Sequence, residues 1–253
     1  MIIRNTVPIL KNLIFPISLG FLCSSFAINP AVQPTNRMPE ATAYSTVSME
    51  VKLTADAATA LYEEMQLAQS GLSKAAFDQA WKGYHTLLAQ KKISRHQYLT
   101  ICDFSQSSLK KRMYIIDMEN NELVKNTYVA HGQNSGLEYA TSFSNKPESL
   151  QSSLGFFLTE RTYTGKHGLS LRMTGLEPGI NDKAMERAIV IHGADYVNAG
   201  RAAGGGYMGR SWGCPAVPMN EVNTIIATIK NGTCLFIYHP QKNYQQGSKI
   251  LND

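Results

Sequence analysis

From Tyr98 onward the sequence is a series of short apolar runs rich in β-branched and aromatic residues, and this feature restricts the fold most. Each run has the length of a β-strand, and turn-forming residues separate most of the runs. The pair Asn120-Asn121, between two of them, is typical of a hairpin turn. We predict strands within residues 98–104, 112–118, 122–132, 153–160, 169–175, 187–193 and 234–239.

Short helices are predicted between some of these strands. One fits residues 181–188, and another fits residues 220–232, with Asn220 as its N-cap and Gly232 just past its end. Strands dominate, and strands and helices do not alternate regularly. The pattern therefore predicts a β-rich α+β fold, namely a β-sandwich or a partly open barrel with short helices.

A helical pair is predicted before the sheet, in residues 49–92. Thr54 and Ser73 are suitable N-caps, and Gly71 between them suits a helix end. In the second helix, apolar side chains recur at helical spacing at Phe77, Ala80, Trp81, Tyr84 and Leu88. The pair is too small for us to expect an independent domain.

Residues 1–27 have the pattern of a signal peptide. Arg4 and Lys11 supply positive charge without an acidic residue, and an apolar run follows from 13 to 27. The run is too short to span a membrane, and small residues at Ser25 and Ala27 predict cleavage after Ala27. The alternative is an uncleaved anchor. Cleavage predicts a periplasmic or secreted protein without stable membrane insertion, in which a proline-rich linker occupies residues 28–48.

The charge of the chain is only mildly basic. The formal charge is +5, and removal of Arg4 and Lys11 with the signal peptide leaves +3. A charge this small and scattered does not indicate nucleic acid as a partner, whereas it suits an acidic polymer such as a cell wall.

Three cysteines remain once the signal peptide is removed, and they cannot all pair within one chain. Cys102 and Cys234 lie in apolar, strand-like runs, where a thiol acts as a small apolar group. Whether those two form a disulfide is left open by the sequence. Cys214 differs, because it lies in the turn-forming stretch RSWGCP.

His192 ends a predicted buried strand and lies 22 positions before Cys214. A thiol is mostly protonated at neutral pH, and a neighbouring imidazole can accept its proton and stabilise the thiolate. Gly213 leaves space beside the sulfur, and the amide N–H of Cys214 is suited to bind an oxyanion. The two residues together predict a cysteine nucleophile with a histidine base.

Two alternative interpretations of the sequence motifs exist. Residues 204–209 fit the G-x-G-x-x-G pattern of dinucleotide sites, but neither a strand directly before nor a helix directly after them is predicted, so a loop is favoured. A metal-dependent peptidase remains an alternative, although no H-E-x-x-H spacing occurs. Its candidate ligands are His131, His167 and His192 with Asp182 or Asp195.

The sequence HG, a gap and then S-x-G-C resembles the YkuD-type L,D-transpeptidase catalytic domain of peptidoglycan enzymes, and more closely its murein L,D-transpeptidase-like branch. Further matching stretches are VAHGQNSG, SSLGFFLT and GRSWGCPAV, so the resemblance covers about residues 97–240. It implies a β-rich catalytic domain at 97–242, followed by a C-terminal tail at 243–253. It also implies Cys214 as nucleophile, His192 as base and the Gly193 carbonyl as the group that orients the imidazole.

The motif positions carry further expectations. Ser211 and Gly213 match the serine and glycine of the family motif. Trp212 and Ala216 depart from it, because the better-known motif has histidine and arginine or asparagine at those positions; Arg210 is a candidate replacement for the lost cation. We expect His131, His167, Arg210 and Trp212 to bind substrate, although a structural role is equally open for the two histidines. Arg187 and Arg201 are candidates to bind stem-peptide carboxylates, although a position on the solvated surface is favoured for each.

The resemblance implies a peptidoglycan L,D-transpeptidase that acts on stem tetrapeptides through an acyl-enzyme and needs neither metal nor cofactor. Hydrolysis in the same site, as an L,D-carboxypeptidase, is an alternative. A non-catalytic peptidoglycan-binding module is another, because of Trp212 and Ala216.

Overall fold

Eight strands form one mixed β-sheet in a computed structural model that describes residues 55–252. The predicted signal peptide, the predicted linker and the predicted N-cap Thr54 lie outside the described residues. The strands are β1 Tyr98–Asp103, β2 Met113–Asp117, β3 Glu122–Thr127, β4 Gly155–Gly165, β5 Gly168–Gly175, β6 Val190–Ala194, β7 Ala216–Pro218 and β8 Cys234–Tyr238. Seven of them overlap the predicted strand segments, although β4 extends to Gly165, and the short β7 was missed.

The sheet curves into a nearly closed barrel. Its strand order is β3-β2-β1-β8-β4-β5-β6-β7, so β3 and β7 are the outer strands. Beyond the end of β3, Ala130 forms an antiparallel bridge with Ala216 of β7, and Gly132 forms a parallel bridge with Ser211. These bridges bring the two sheet edges together. The predicted fold class, a β-rich partly open barrel with short helices after a helical pair, is confirmed.

The sheet contains five antiparallel and two parallel pairs of strands. The β2–β3 hairpin turns at Asn121, whose φ of 54° is the left-handed conformation that asparagine tolerates, as predicted. The β4–β5 hairpin has Lys166 and His167 at its tip, between Gly165 and Gly168. β1 pairs in parallel with β8, and β6 pairs in parallel with β7.

Six helices accompany the sheet in the described part of the chain. Helix α1 spans 55–64, and it is followed by α2 Lys74–Ala89, α3 Ala199–Ala203, α4 Val222–Ile229, α5 Lys242–Gly247 and α6 Lys249–Asn252. Ser73 caps α2 as predicted, because its Oγ accepts from the Ala76 N–H at 3.3 Å. Helix α4 begins one residue later than predicted, with Glu221 rather than Asn220 as N-cap. No helix between residues 55 and 252 is both long and apolar enough to cross a bilayer.

The helix predicted at residues 181–188 is wrong, because this segment forms consecutive turns. The Asn181 side chain is used in the sheet: its amide donates to the carbonyls of Leu154 and Phe156, and its oxygen accepts from the Glu177 N–H. Ala188 then has a φ of 51°, which ends any helical run. Tertiary hydrogen bonds therefore outweigh the local helical preference.

The C-terminal segment, predicted as a tail, contains α5 and α6 and packs on the core. Tyr244, Ile250 and Leu251 are buried. The buried carboxylate of Glu177 accepts from the Tyr244 hydroxyl at 3.2 Å and from the Ser248 hydroxyl. Burial raises the pKa of Glu177. The carboxylate thus ties the last helices to the loop after β5.

The main core lies between α2 and the central strands. Phe77, Ala80, Tyr84 and Leu87 on α2 are buried, and the helix contacts β1 and β8. Gly83 lies on the same face, where Phe156 of β4 fills the space that a side chain would need. The helical pair therefore shares one core with the sheet.

We predict that Gly83→Ala destabilises the protein although alanine is the better helix former. An added Cβ would lie 2.0 Å from Cζ of Phe156, and this ring is fixed by stacking on Phe236 at 4.2 Å. The overpacking should lower the free energy of unfolding by about 1–3 kcal/mol in denaturant titrations. The exposed control Lys82→Ala should change it by less than about 0.5 kcal/mol. An unchanged or higher stability of Gly83→Ala would contradict this packing.

Candidate active site

Parallel pairing of β6 and β7 brings His192 and the cysteine bend together. His192 lies in the middle of β6 and pairs with Ala216 at the start of β7. Cys214 lies two residues before Ala216, in the chain segment that leads into β7. A small apolar cluster that contains Ala130, Ala194 and Ala216 packs beneath this junction. The sheet thus closes a sequence gap of 22 residues.

The cysteine bend, residues 211–214, is shaped by its serine and its glycine. The Ser211 hydroxyl accepts from the Gly213 N–H at 3.1 Å and donates to the Cys214 carbonyl at 2.6 Å. Gly213 has a φ of 121°, a conformation that residues with a side chain rarely adopt. A Cβ at Gly213 would also lie 2.7 Å from the Gln151 carbonyl oxygen. Both residues therefore have conformational reasons to occupy the bend.

Neighbouring loops hold the bend in place. The Ser211 N–H donates to the His131 carbonyl at 3.0 Å, and the Gln133 N–H donates to the Ser211 carbonyl at 2.8 Å. The Ser152 hydroxyl donates to the Gly213 carbonyl at 3.1 Å. The bend is therefore fixed from two sides by backbone and hydroxyl groups.

The imidazole of His192 is buried and has a defined tautomer. Its Nδ1 lies 2.9 Å from the Gly193 carbonyl oxygen, which can only accept a hydrogen bond. Nδ1 therefore carries the proton, and Nε2 is the acceptor. Burial lowers the pKa of His192 more than the Gly193 carbonyl raises it, and His167 lowers it further. A neutral imidazole with an unprotonated Nε2 is the form that a general base requires.

Cys214 is the one half-buried thiol among three free cysteines in the described residues. Its Sγ lies 3.7 Å from the Ala188 carbonyl, and no hydrogen bond joins Sγ to His192 in this part of the chain. Burial raises the pKa of the Cys214 thiol, while the Val190 N–H and the charge of Arg187 act in the opposite direction. The thiol is thus placed beside two groups that favour its ionised form.

Cys102 and Cys234 are free thiols, which answers the question that the sequence left open. Both are fully buried on neighbouring strands. The register places Cys102 opposite Ile237 and Cys234 opposite Leu99, so the two side chains are not paired. Burial raises the pKa of Cys102 to about 12.

A cavity of about 250 Å³ opens on the face of His192. The ring of His167 stacks on that of His192, with centroids 4.5 Å apart, and Lys166 lies over the ring of Trp212 at 5.9 Å. Trp212 is 71% exposed. The lining residues are Lys166, His167, His192, Tyr196, Arg210, Ser211 and Trp212. Cys214 is not among them; its carbonyl accepts a hydrogen bond from Ser211, which is.

The structure thus groups three of the four predicted substrate-binding residues, His167, Arg210 and Trp212, around the predicted base. Sequence reasoning missed Lys166 and Tyr196. Lys166 lies beside His167 between two glycines, a pattern typical of a hairpin tip. The sequence therefore contained a signal for Lys166. Tyr196 follows β6 in a turn and carries no such signal.

Comparison with known proteins gives the family. The sequence profile of the L,D-transpeptidase catalytic domain matches residues 68–238, which is more than half of the chain. The chain belongs to this family. No curated protein matches the chain.

Three solved structures illustrate the similarity. An L,D-transpeptidase from Mycobacterium smegmatis is 12% identical, with 56% of this chain and 59% of that chain covered and a TM-score of 0.35. An L,D-transpeptidase from Xylanimonas cellulosilytica is 16% identical, with 56% and 60% covered and a TM-score of 0.33. The helical cell shape determining protein Pgp2 from Campylobacter jejuni is 13% identical, with 61% and 53% covered and a TM-score of 0.36. The chain spans about three fifths of the first of these proteins.

In this L,D-transpeptidase domain His131 lies behind the cysteine bend, away from solvent. Its side chain is fully buried; Nδ1 lies 2.7 Å from Arg112 Nη2, and Nε2 lies 3.4 Å from the Gly136 carbonyl. Burial and the charge of Arg112 lower the pKa of His131 to about 3. Of the two roles left open for His131, this geometry favours the structural one.

Arg210 lies between the His131 region and the cavity. Its Nη1 donates to the carbonyls of Gln133 at 2.6 Å and Gly136 at 3.0 Å. The guanidinium also lies over the ring of Tyr207 at 5.0 Å. Arg210 therefore holds the loop around Gly136 and places a positive charge at the cavity wall.

Of the candidate ligands for a metal, only His167 and His192 lie together in the described structure. Between residues 55 and 252, no three or more His, Cys, Asp or Glu side chains come together in a group suited to a metal ion. The carboxylate of Asp182 accepts from Asn145 and Gly179, and Asp195 is exposed. The ligand set proposed for a metal-dependent peptidase therefore does not assemble here.

We predict that Gly213→Ala disrupts the bend. The left-handed conformation and the contact with the Gln151 carbonyl should together lower the free energy of unfolding by about 1–3 kcal/mol. They should also change the rate at which iodoacetamide alkylates Cys214. The control Gly205→Ala has a φ of 77° but no atom within 4 Å of its Cβ, so it isolates the conformational cost and should leave alkylation unchanged. Equal alkylation rates in wild type and Gly213→Ala would count against the bend's role.

We predict that His131 makes the protein sensitive to acid. Its pKa is about 3 in the folded state and about 6.5 in the unfolded chain, so its contribution is complete above pH 6.5 and is lost as pH falls toward 3. This one residue should add about 1.4 kcal/mol per pH unit to the slope of stability between about pH 6 and pH 4. In denaturant titrations, His131→Asn, which keeps an acceptor for Arg112, should show a shallower slope.

The matched control is His96→Asn, because the side chain of His96 is 65% exposed. Comparison with this variant separates the effect of removing a buried histidine from that of removing an exposed one. A wild-type slope in His131→Asn would show that the acid sensitivity arises elsewhere.

Proposed function

We propose that this protein is a peptidoglycan L,D-transpeptidase that forms a thioester on Cys214 from a stem tetrapeptide and transfers it to an amine. The observation that carries the proposal is the cysteine bend beside β6, next to a buried imidazole whose Nδ1 proton is directed to the Gly193 carbonyl. The family match supports the reaction class. Cys214 acts as nucleophile and His192 as base.

Thiol activation is the first step. The Cys214 side chain leaves its contact with the Ala188 carbonyl, and its proton passes to Nε2 of neutral His192. The sulfur then attacks the carbonyl carbon of the third, diamino-acid residue of the stem. Because Nδ1 stays bonded to Gly193, the imidazolium that forms keeps its orientation.

The oxyanion is stabilised by the backbone of the bend. The Gly213 N–H is already used by the Ser211 hydroxyl, so it is not a free donor. The Cys214 N–H has no protein acceptor in the described structure, and we assign it as an oxyanion donor. Ser211 and Gly213 act by holding that amide in place.

Acyl transfer completes the reaction. The carbon–nitrogen bond to D-alanine breaks, His192 returns its proton to the leaving amine, and a thioester on Cys214 remains. A side-chain amine of a second stem attacks the thioester, its proton passes to His192, and the cysteine is released. Lys166, Arg210 and Trp212 around the cavity suit the carboxylates and apolar stems of such peptides.

Hydrolysis is a second outcome of the same site. Water in place of the amine makes the protein an L,D-carboxypeptidase. A non-catalytic peptidoglycan-binding module is the third candidate, because Trp212 and Ala216 depart from the family motif and Sγ contacts Ala188 rather than His192. In each case we place the mature protein in the periplasm or outside the cell, on the evidence of the sequence of residues 1–27.

We predict that Cys214 is acylated by substrate and by β-lactams. Intact-mass spectrometry after incubation with a disaccharide-tetrapeptide should show the added mass of the acyl group, and a carbapenem should add its own mass. Cys214→Ala should gain neither. Cys102→Ala removes a fully buried thiol and should be acylated like the wild type. His192→Gln should slow acylation by about 100-fold or more.

Product analysis separates the three candidates. A cross-linked dimer formed in the presence of acceptor stems supports transfer, and a free tripeptide with D-alanine supports hydrolysis. Sedimentation with purified peptidoglycan by a wild type that never forms an adduct would replace the enzymatic proposal by the binding module.

A further inference from the structure

Arg187 is half-buried at the end of the turn segment before β6, although the sequence placed it on the solvated surface. Its Nη1 donates to the Ser144 carbonyl and to the Ser153 hydroxyl, each at 2.6 Å. Its Nη2 donates to the Gln151 carbonyl at 2.5 Å and to the Ser149 hydroxyl at 3.2 Å. One guanidinium thus holds the whole loop 144–153.

This loop forms the back wall of the cysteine bend. The Gln151 carbonyl, which accepts from Arg187, is the atom that a Cβ at Gly213 would strike. Arg187 Nη2 itself lies 3.3 Å from that Cβ position. The Cys214 thiol donates to the carbonyl of Ala188, the residue after Arg187. The guanidinium therefore lies beside Gly213, the residue before Cys214.

The positive charge of Arg187 has no acidic partner in the described residues. All four acceptors are uncharged oxygens, and the ion pairs of this part of the chain involve Lys74, His96 and Lys125 instead. A half-buried cation is costly unless an anion compensates it. Cys214 is the ionisable group that interacts with Arg187, and each favours the charged form of the other.

We propose that Arg187 is a positioning residue that stabilises the Cys214 thiolate while it fixes loop 144–153 behind the cysteine bend. The thiolate is the anion that compensates the charge of the guanidinium, which has no carboxylate partner in the described residues. The arginine fork suits this task better than a lysine would, because it reaches four loop acceptors and still leaves its charge near the sulfur. The proposal rests on the proposed function only in taking Cys214 as the nucleophile.

The test is the pH dependence of Cys214 alkylation by iodoacetamide, with the modified residue located by mass spectrometry. Arg187→Gln and Arg187→Met both remove the charge, and the glutamine keeps an amide donor for the loop. Each should raise the midpoint of alkylation by about one pH unit or more, which lowers the rate at pH 7 about tenfold. Arg187→Lys keeps the charge but loses the fork, so its midpoint should lie between those of the wild type and of the neutral variants.

The control is Arg201→Met, which removes the same charge from an exposed arginine and should leave the midpoint unchanged. Thermal unfolding identifies which variants are folded. Two neutral variants are compared so that the test needs only one of them to fold. A folded neutral variant with the wild-type midpoint would overturn the proposal, as would an equal shift in Arg201→Met. If neither neutral variant folds, a folded Arg187→Lys with a midpoint raised by about one pH unit or more would overturn it, since a retained charge should hold the midpoint below that of a neutral side chain.

The experiment distinguishes this proposal from the proposed function. Alkylation needs no peptidoglycan, so an Arg187-dependent midpoint in a wild type that forms no adduct with the tetrapeptide would refute the transpeptidase alone. An adduct with a midpoint that ignores Arg187 would refute this inference alone.

Discussion

The parallel pairing of β6 with β7 is the interaction on which the candidate site depends. It places His192 opposite Ala216 and so brings the cysteine bend beside the imidazole. The strand β7 has only three residues, and such a short strand is not stable alone. Its pairing is secured by the bridge between Ala130 and Ala216, which also closes the barrel. The contact that closes the sheet therefore also assembles the candidate site.

The cysteine bend combines a strained backbone with dense support. Gly213 has a φ of 121°. Its carbonyl accepts from the Ser152 hydroxyl, and its N–H donates to the Ser211 hydroxyl. The position that a Cβ would occupy lies close to the Gln151 carbonyl. Arginines hold the loops on both sides: Arg112 and Arg210 fix the His131 side, and Arg187 fixes loop 144–153. Strained conformations persist at functional sites where surrounding structure determines them in this way. Here the surrounding loops are held mainly by hydrogen bonds that arginines donate to backbone carbonyls.

Local patterns in the sequence predicted the elements that depend on local physics. The helix capped by Ser73, the turn at Asn121 and seven of the eight strands follow from capping, left-handed asparagine and β-rich runs. The prediction at residues 181–188 was wrong because the Asn181 side chain is used by the sheet. The predicted tail at 243–253 contains two helices because the Glu177 carboxylate and the core select them. Both differences arise from contacts with distant residues, which no local pattern contains.

For the candidate site, the sequence by itself determined which side chains carry the proposed chemistry: a thiol in a glycine-proline turn, a histidine in a buried strand, and the family motif that joins them. The tertiary structure decided which neighbours these groups have. It separated His131, buried against Arg112, from His167, stacked on His192. It also placed the side chain of Arg187, expected on the surface, beside Gly213 of the bend. Residue types fix what a side chain can do, but burial and charge depend on the approach of segments far apart in the chain, and only the closed sheet sets that approach.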